Sequence, residues 1–124
     1  MDAAPHLPRQ APIDAYGKGG FRFAGMSHRG SLLCLPTGIW AWPVNKAEEI
    51  DEASLERVFA TASDIDFLIL GTGLRGWSAP EALRWRLRDL RVALDIMTTA
   101  ATVRTYNILQ GERRRVAAAL IAVE

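Results

Sequence analysis

The spacing of hydrophobic residues changes part-way along the chain, close to Ile50. Before that point apolar and polar residues alternate, as in Phe21-Arg22-Phe23, and this period of two is typical of half-buried strands. Glycines interrupt the alternation at short intervals and indicate tight turns or bulges. Residues 13–44 are therefore predicted to form several short strands.

After Ile50 the hydrophobic period becomes that of a helix. Asp51 is a good N-cap, and Leu55, Val58 and Phe59 then recur at helical spacing. The alternation of strands and helices from here on predicts an α/β fold with right-handed crossovers. The further predicted elements are a buried strand at residues 67–70, a helix beginning at residues 78–80, a strand at 92–96, a helix from 98 or 99 to about 109, and a strand at 116–123.

Size and charge restrict the possible classes of function. The 124 residues suffice for one domain, and 15 basic against 14 acidic residues leave a net charge of +1. Such a balance gives no overall field that would attract nucleic acid or an anionic membrane. The single cysteine, Cys34, excludes an internal disulfide, and no Cys/His group has the spacing of a zinc site. We therefore expect neither a metal nor a nucleic acid partner.

The first residues differ in composition from the rest of the chain. Three prolines among residues 1–12 predict a flexible or extended N-terminal arm, followed by a single domain at residues 13–124. The arm lacks the apolar centre of a signal peptide, and no stretch is long and apolar enough to cross a bilayer. The expected compartment is the cytoplasm, with any membrane association made through a partner. The sequence does not determine the oligomeric state.

Residues 71–76, Gly-Thr-Gly-Leu-Arg-Gly, match the pattern G-x-G-x-x-G of dinucleotide-binding folds, and Asp95 stands near the position of the ribose-binding acid. In that fold the helix begins within the motif, so that its free N–H groups meet the pyrophosphate. Here Pro80 would lie inside such a helix, at a cost of about 3 kcal/mol or more. We therefore interpret the motif as a tight glycine turn and predict no cofactor.

No arrangement of side chains typical of catalysis stands out in the sequence. Ser31 and Ser78 have no recognisable histidine partner, and no two carboxylates are matched for acid–base work. Cys34 lies in an apolar run and is expected to be an inert, buried thiol. An enzyme is therefore the less favoured class of protein.

Motifs spread over nearly the whole chain after residue 12 point to a known family. The most specific is the Arg104-Thr105-Tyr106-Asn107 helix followed by an acidic residue and an alanine-rich strand. With these motifs the chain resembles the Mth-type domain family. This family includes mitochondrial complex I assembly factor 3 and the adipogenesis-associated Mth-domain protein. Further matching residues are Tyr16, Gly19, Phe21, Ser31, Pro36, Trp42, Gly71, Thr72, Gly73, Pro80, Met97, Thr99, Ala101, Leu109, Glu112, Arg114 and residues 116–120.

The resemblance implies a three-layer α/β fold: a central mixed sheet, helices, and an additional antiparallel layer from the N-terminal half. It implies no established catalytic residues and no cofactor. Mitochondrial relatives act in assembling the respiratory NADH dehydrogenase, so it favours an interaction or assembly protein with protein partners. The chain departs from the family at Asp95, usually glutamate, and at Arg113, often glycine. Arginine adopts a left-handed turn at higher cost than glycine, so we expect the turn at Arg113 to differ.

A candidate crevice lies where the third predicted helix approaches the glycine turn. Arg104 and Asn107 share one helix face, and facing the turn they would line a site for a carboxylate or a peptide. Alternatively, Asn107 satisfies loose backbone groups near the helix end, and Arg104 pairs with Asp95 or Glu112. The first arrangement would suit a small-ligand binder or an enzyme. The candidate crevice residues are Gly71, Thr72, Gly73, Thr99, Arg104, Asn107, Glu112 and Arg114.

The second predicted helix carries a candidate interface. Helical geometry puts Trp85 almost opposite Leu87 and away from the apolar stripe, with Arg84 and Arg88 nearby. Tryptophan and arginine together are typical of protein–protein hot spots. The alternatives are a solvated basic face and an RNA contact, the latter disfavoured by the balanced net charge.

Overall fold

The structure, a computed structural model, describes residues 4–124. The strands are β1 (Ala15–Gly17), β2 (Gly20–Phe23), β3 (Met26–Arg29), β4 (Ser31–Leu35), β5 (Gly38–Trp42), β6 (Phe67–Gly71), β7 (Ala93–Met97) and β8 (Val116–Leu120). The helices are α1 (Glu56–Ala60), α2 (Glu81–Asp89) and α3 (Thr99–Gly111), with short 3-10 helices at Ala47–Glu49, Ala53–Leu55 and Ala62–Asp64.

A five-stranded mixed sheet in the order β5-β4-β8-β6-β7 forms the centre of the fold. β6 is parallel to β7 and β8, whereas β4 is antiparallel to both of its neighbours. The chain crosses from β6 to β7 through α2 and returns from β7 to β8 through α3. The first crossover moves toward the β7 edge of the sheet and the second moves back from it. Because both crossovers are right-handed, the two helices lie on opposite faces of the sheet.

Alternate residues of the central strands build two separate cores, one on each face of the sheet. Leu68 and Leu70 of β6 belong to one core together with Leu87 of α2. Ile69, between them, belongs to the other core together with Tyr106 of α3. Since both faces of β6 are covered, the strand has no polar side, which agrees with its uninterrupted apolar run.

The N-terminal half adds a second, antiparallel sheet in the order β1-β2-β3, which packs in the same core as α3. Phe21 and Phe23 are buried there, whereas Arg22 between them is exposed. The β1–β2 loop consists of Lys18 and Gly19, both with positive φ, a turn whose twist suits a two-residue hairpin. The predicted three-layer α/β fold is therefore confirmed: α1 and α2, the mixed sheet, then α3 with the small sheet.

Residues 4–12, which belong to the predicted arm, lie along the domain and bond to it. Leu7 forms a bridge to Ile39 of β5, with the Ile39 N–H donating to the Leu7 carbonyl at 2.9 Å. Gln10 donates from Nε2 to the Val116 carbonyl at 2.6 Å, and Ala11 is buried. The segment is extended, as proline favours, but backbone and side-chain hydrogen bonds anchor it. Residues 1–3 of the predicted arm lie outside the described residues.

The first predicted helix is shorter than its apolar pattern indicated. The predicted N-cap is wrong for this helix: Asp51 Oδ1 accepts the Ser54 N–H at 2.8 Å ahead of the 3-10 turn at Ala53–Leu55, whereas α1 begins at Glu56 without a side-chain cap. The Thr61 N–H then bonds the Val58 carbonyl, and the Thr61 hydroxyl donates to the Arg57 carbonyl at 3.1 Å. These bonds satisfy carbonyls of the last turn, and α1 ends after five residues.

The C-terminus of α3 forms a six-residue capping motif around Arg113. The Arg114 N–H bonds the Leu109 carbonyl at 2.9 Å, and the Arg113 N–H bonds the Gln110 carbonyl at 3.0 Å. Arg113 has φ of +60°, so it adopts the left-handed conformation that the motif requires. The helix therefore closes in the way that glycine favours, despite the arginine.

Replacing Arg113 by glycine is expected to raise the free energy of unfolding by about 0.5–1 kcal/mol. Glycine removes the left-handed penalty of about 1–2 kcal/mol, and its greater freedom in the unfolded chain returns part of that gain. The measurement is urea unfolding. Arg114→Gly is the matched control and should lower stability, because Arg114 has no positive φ to relieve. Equal effects of the two variants would contradict the assignment.

Candidate functional site

The carboxyl ends of β6 and β8 meet the start of α3 at Thr99, which is completely buried. The Thr99 hydroxyl donates to the Ile121 carbonyl at 2.7 Å and accepts the Gly73 N–H at 3.0 Å. The Thr99 N–H donates to the Gly73 carbonyl at 2.9 Å. Thr98, rather than Thr99, caps the helix, with its hydroxyl accepting the Ala101 N–H. Thr99 thus joins two strand ends to a helix.

The glycine turn itself is filled by threonine side chains. The Thr72 hydroxyl donates to the Arg75 carbonyl at 2.7 Å, which folds the loop back onto the strand end. A Cβ at Gly71 would stand 2.9 Å from the Thr102 Oγ1, so only glycine fits this approach of α3 to β6. We name Gly71, Thr72, Gly73, Thr99 and Thr102 the threonine junction. It is a closed packing contact between strands and helix.

β8 ends at Leu120, at the same junction, whereas the sequence predicted a strand up to residue 123. The Ile121 N–H donates to the Gly71 carbonyl at 2.8 Å, and the next N–H, from Ala122, donates to the Ser31 hydroxyl at 2.9 Å. The Val123 carbonyl then accepts the Gly19 N–H of the small sheet. The chain therefore leaves the mixed sheet after β8 and connects it to the N-terminal layer.

Arg104 and Asn107 lie elsewhere, against the segment that leads into β1. The Asn107 side chain accepts the Ile13 N–H and donates to the Ile13 carbonyl, both at 2.8 Å. Arg104 is exposed beside it, at a shallow depression of about 530 Å³ shared with Asp14 and Tyr16. The two residues share a helix face as predicted, but this face looks toward the N-terminal segment and not toward the glycine turn.

Glu112 and Arg114 form a third, separate group in the exposed turn between α3 and β8. Within residues 4–124, side-chain ion pairs join Arg86 to Glu52 at 3.6 Å and Arg115 to Asp66 at 3.3 Å. The suggested pairs of Arg104 with acidic residues are thus not formed. The structure distributes the candidate crevice residues over three places instead of assembling one crevice.

Tyr106 and Cys34 are buried next to each other, which no pattern in the sequence predicts. Tyr106 is fully buried and donates its hydroxyl to the Ala11 carbonyl at 2.8 Å. Burial raises the pKa of the Cys34 thiol to about 12, and burial likewise raises the pKa of Tyr106 beside it. Both side chains are therefore neutral near pH 7, and Cys34 is not a thiolate nucleophile. The tyrosine fixes the N-terminal segment and performs no evident chemistry.

The outer side of α2 presents the candidate interface. Trp85 is 50% exposed, whereas Leu83 and Leu87 of the same helix are buried. The Arg88 guanidinium lies 5.0 Å from the centre of the Trp85 ring, within the range of a cation–π contact. Arg84 donates from Nε to the Ala79 carbonyl at 3.2 Å, which uses one of its five N–H donors. This side of α2 is aromatic and basic, and it is open to solvent.

The match to known proteins covers almost all of the described chain. Residues 13–121 match a family described as "Protein of unknown function (DUF498/DUF598)". The chain belongs to the DUF498/DUF598 family.

Two similar proteins with solved structures share the fold over nearly their whole length. A crystal structure described as an outer membrane protein from Bartonella henselae is 47% identical, with a TM-score of 0.92 over 96% of this chain and 100% of that chain. The NMR structure of the Rpa2829 protein from Rhodopseudomonas palustris is 62% identical, with a TM-score of 0.85 over 99% of this chain and 91% of that chain.

A named relative comes from zebrafish, Danio rerio. NADH dehydrogenase (ubiquinone) 1 alpha subcomplex assembly factor 3 is 31% identical over 109 residues, which cover 88% of this chain and 63% of that protein. The DUF498/DUF598 chain thus spans less than two thirds of its length. This match confirms the resemblance to the Mth-type family, of which that assembly factor is a member.

Two further features of residues 4–124 bear on possible sites. None of the helices in this range has the length and apolar character needed to cross a bilayer. No group of three or more His, Cys, Asp or Glu side chains in this range is placed to hold a metal ion.

Proposed function

We propose that this DUF498/DUF598 protein is a non-catalytic interaction protein that assists the assembly of a respiratory NADH dehydrogenase or a related membrane complex. The observation that carries the proposal is the similarity, over 88% of the chain, to a protein named as an assembly factor of that enzyme. The proposal places the protein in the cytoplasm, where it reaches the membrane complex through a protein partner and not through a span of its own.

The hydrogen bonds of the threonine junction support a non-catalytic role. The Thr99 hydroxyl already has a donor and an acceptor partner, and its side chain is inaccessible to a ligand. Asn107 is likewise occupied by both backbone groups of Ile13. The alternative, a small-ligand binder or enzyme acting through the glycine turn and Asn107, lacks the single open crevice that it requires. A polar network of this kind serves fold specificity.

The proposed contact surface for the partner is Trp85 with Arg84 and Arg88. Burying a half-exposed tryptophan gives a large apolar contribution to binding, and arginines beside it supply directional hydrogen bonds. The surface is formed on a helix whose other side is held by the core, so binding requires little ordering of the backbone.

The direct test deletes the gene and measures assembled NADH dehydrogenase by native electrophoresis and in-gel activity. We expect a several-fold loss of the full complex and an accumulation of subassemblies, restored by the wild-type gene. Succinate dehydrogenase activity in the same membranes is the control and should be unchanged. Normal amounts of assembled enzyme, together with no recovered subunit after affinity purification of the tagged protein, would refute the proposal.

Replacing Trp85 by alanine is expected to weaken partner binding by about tenfold or more, because hot-spot truncations cost about 2 kcal/mol or more. The free energy of unfolding should change by only about 0.5 kcal/mol, since half of the ring is already in solvent. Thermal unfolding and quantitative pull-down provide the two measurements. Leu74→Ala, at an exposed apolar residue in the turn after β6, is the control. A large stability loss with unchanged binding would show that Trp85 is structural.

A further inference from the structure

The two edges of the mixed sheet differ in how they are covered. At the β5 edge, the N-terminal segment bridges Ile39 through Leu7. At the β7 edge, no strand of residues 4–124 pairs with the outer side of the strand. An uncovered edge is a template for pairing with another chain unless charges, bulges or prolines block it. β7 is regular over five residues and contains no proline, and its one charged residue, Asp95, lies on the face away from α2.

The free backbone groups of β7 belong to two identifiable residues. The Ala93 N–H donates to the Asp66 carbonyl at 3.0 Å, and the Met97 carbonyl accepts the Thr72 N–H at 2.9 Å. In a parallel pair, every second residue of a strand directs both its N–H and its C=O at the neighbouring strand. In β7 these are the odd-numbered residues, which bond to β6. The N–H and C=O groups of Leu94 and Ile96 therefore point away from the sheet.

Basic side chains line this edge on the α2 face. A depression of about 370 Å³ lies between helix and strand, lined by Arg84, Arg88 and Arg91 together with Ala93 and Leu94. Arg84 and Arg88 reach this depression from α2, and Arg91 reaches it from just beyond the helix end, whereas Arg86 pairs with Glu52. A strand added at β7 would therefore have guanidinium groups above one of its faces.

We propose that the β7 edge binds an extended, acidic segment of a protein partner as an added strand. Its backbone bonds the free groups of Leu94 and Ile96, and its carboxylates on the α2 face meet Arg84, Arg88 and Arg91. This mode of recognition takes affinity from the main chain and specificity from alternate side chains. The inference rests on the proposed interaction function and names the chemistry of the partner segment.

Charges on this protein also restrict which residues of the partner segment can lie between its carboxylates. Side chains of an added strand alternate between the two faces, and Asp95 is exposed on the face opposite to the arginines. An acidic residue there would be repelled, so the intervening residues are neutral or basic. A second copy of this chain fits less well, because a two-fold pairing of β7 edges would bring two sets of three arginines together.

The test uses a short synthetic peptide of alternating threonine and glutamate, titrated into isotope-labelled wild-type protein by NMR. We expect chemical-shift changes concentrated at Leu94, Ile96 and the three arginines of the depression, and weaker binding at high salt. Arg88→Glu should weaken binding about tenfold or more. Arg22→Glu, an exposed charge reversal on the small sheet, is the control and should bind as wild type.

A proline variant tests the added strand separately from charge. Leu94→Pro removes the N–H that points away from the sheet and leaves every bond to β6 intact. Edge strands accept proline at such positions, so the sheet should tolerate this substitution. Leu94→Ala loses the same side chain but keeps the N–H. We expect peptide binding to be lost in the proline variant and kept in the alanine variant, with similar far-UV circular dichroism for both. Equal binding by the two variants would overturn strand addition.

The remaining outcomes separate this inference from the proposed function. If the tagged protein recovers its partner with Leu94→Pro as well as with wild type, the edge is not the docking site, although the interaction function stands. If wild type recovers no partner, the proposed function fails irrespective of the peptide result. A dimer in sedimentation that Leu94→Pro dissolves, or tighter binding of a single-stranded RNA than of the peptide, would each overturn the acidic-segment proposal.

Discussion

Replacing Thr99 by valine should lower the free energy of unfolding by about 2–4 kcal/mol, because it leaves the buried Ile121 carbonyl and the part-buried Gly73 N–H without partners. Valine keeps the shape of threonine, so packing in the junction is nearly preserved. The hydroxyl that accepts the Gly73 N–H and donates to the Ile121 carbonyl is lost. Urea unfolding of wild type and variant gives the difference directly, provided that the two have the same dependence on denaturant.

Thr99→Ser is the matched control for this prediction. Serine retains the hydroxyl and loses one buried methyl group, which should cost about 1 kcal/mol. We therefore expect Ser to be clearly more stable than Val at this position. If the valine variant were as stable as wild type, the hydroxyl would have no structural role, and a ligand contact at the glycine turn would again be worth testing.

The position of Thr99 also explains why the glycine turn is not a phosphate-binding loop. A G-x-G-x-x-G pattern after a strand can bind phosphate only if the following helix offers its free N–H groups. Here the helix after the motif, α2, begins at Glu81, ten residues after Gly71, and Pro80 precedes it. The Gly73 N–H is instead taken by Thr99 of a different helix. The glycines allow close packing and do not form a cradle.

The sequence predicted the order and type of the main elements because their periods are set locally. The alternation at Phe21 and Phe23 and the apolar run of β6 both correspond to strands, and Leu83 with Leu87 marks the buried side of α2. Element ends were less predictable. α1 ends in a tighter turn, in which the Thr61 N–H bonds the Val58 carbonyl, and hydrophobic period does not encode this local change.

The grouping of the candidate residues could not be predicted in the same way. Thr99 and Gly73 are 26 positions apart, and their bond depends on how α3 returns across the sheet. Asn107 shares a helix face with Arg104, but which element this face meets is fixed by the N-terminal segment. The proline-rich composition of that segment predicts an arm, and its partners lie about 95 residues further along the chain.

The backbone conformations of Arg91 and Arg113 could not be predicted from residue type either. Both end a helix in the left-handed conformation, with φ of +60°. From the sequence, an arginine at such a position predicts a different turn, yet the helix-closing bonds and the strand that follows hold it there. At Arg91 the same conformation leads directly into β7, next to the depression that Arg84 and Arg88 line. The residue thus adds charge at the proposed docking edge at some cost in backbone energy.

Replacing Asn107 by leucine should lower the free energy of unfolding by about 2–4 kcal/mol, since each unpaired buried backbone group costs about 1–3 kcal/mol. The side chain holds both the N–H and the carbonyl of Ile13, a residue that is itself buried, and leucine of similar size can hold neither. The loss should be accompanied by faster hydrogen exchange at Ile13 and along residues 6–11, because Tyr106 alone would then anchor that segment to α3.

Arg104→Ala is the control on the same face of α3, one turn away. Its side chain is exposed and makes no hydrogen bond to the N-terminal segment among the described residues, so stability should change by only about 0.5 kcal/mol. Chemical denaturation followed by tryptophan fluorescence, with exchange measured by NMR, distinguishes the two variants. A stable Asn107→Leu protein with unchanged exchange at Ile13 would show that the clamp is dispensable. The residue's polar character would then need a functional reason, at the depression beside Arg104.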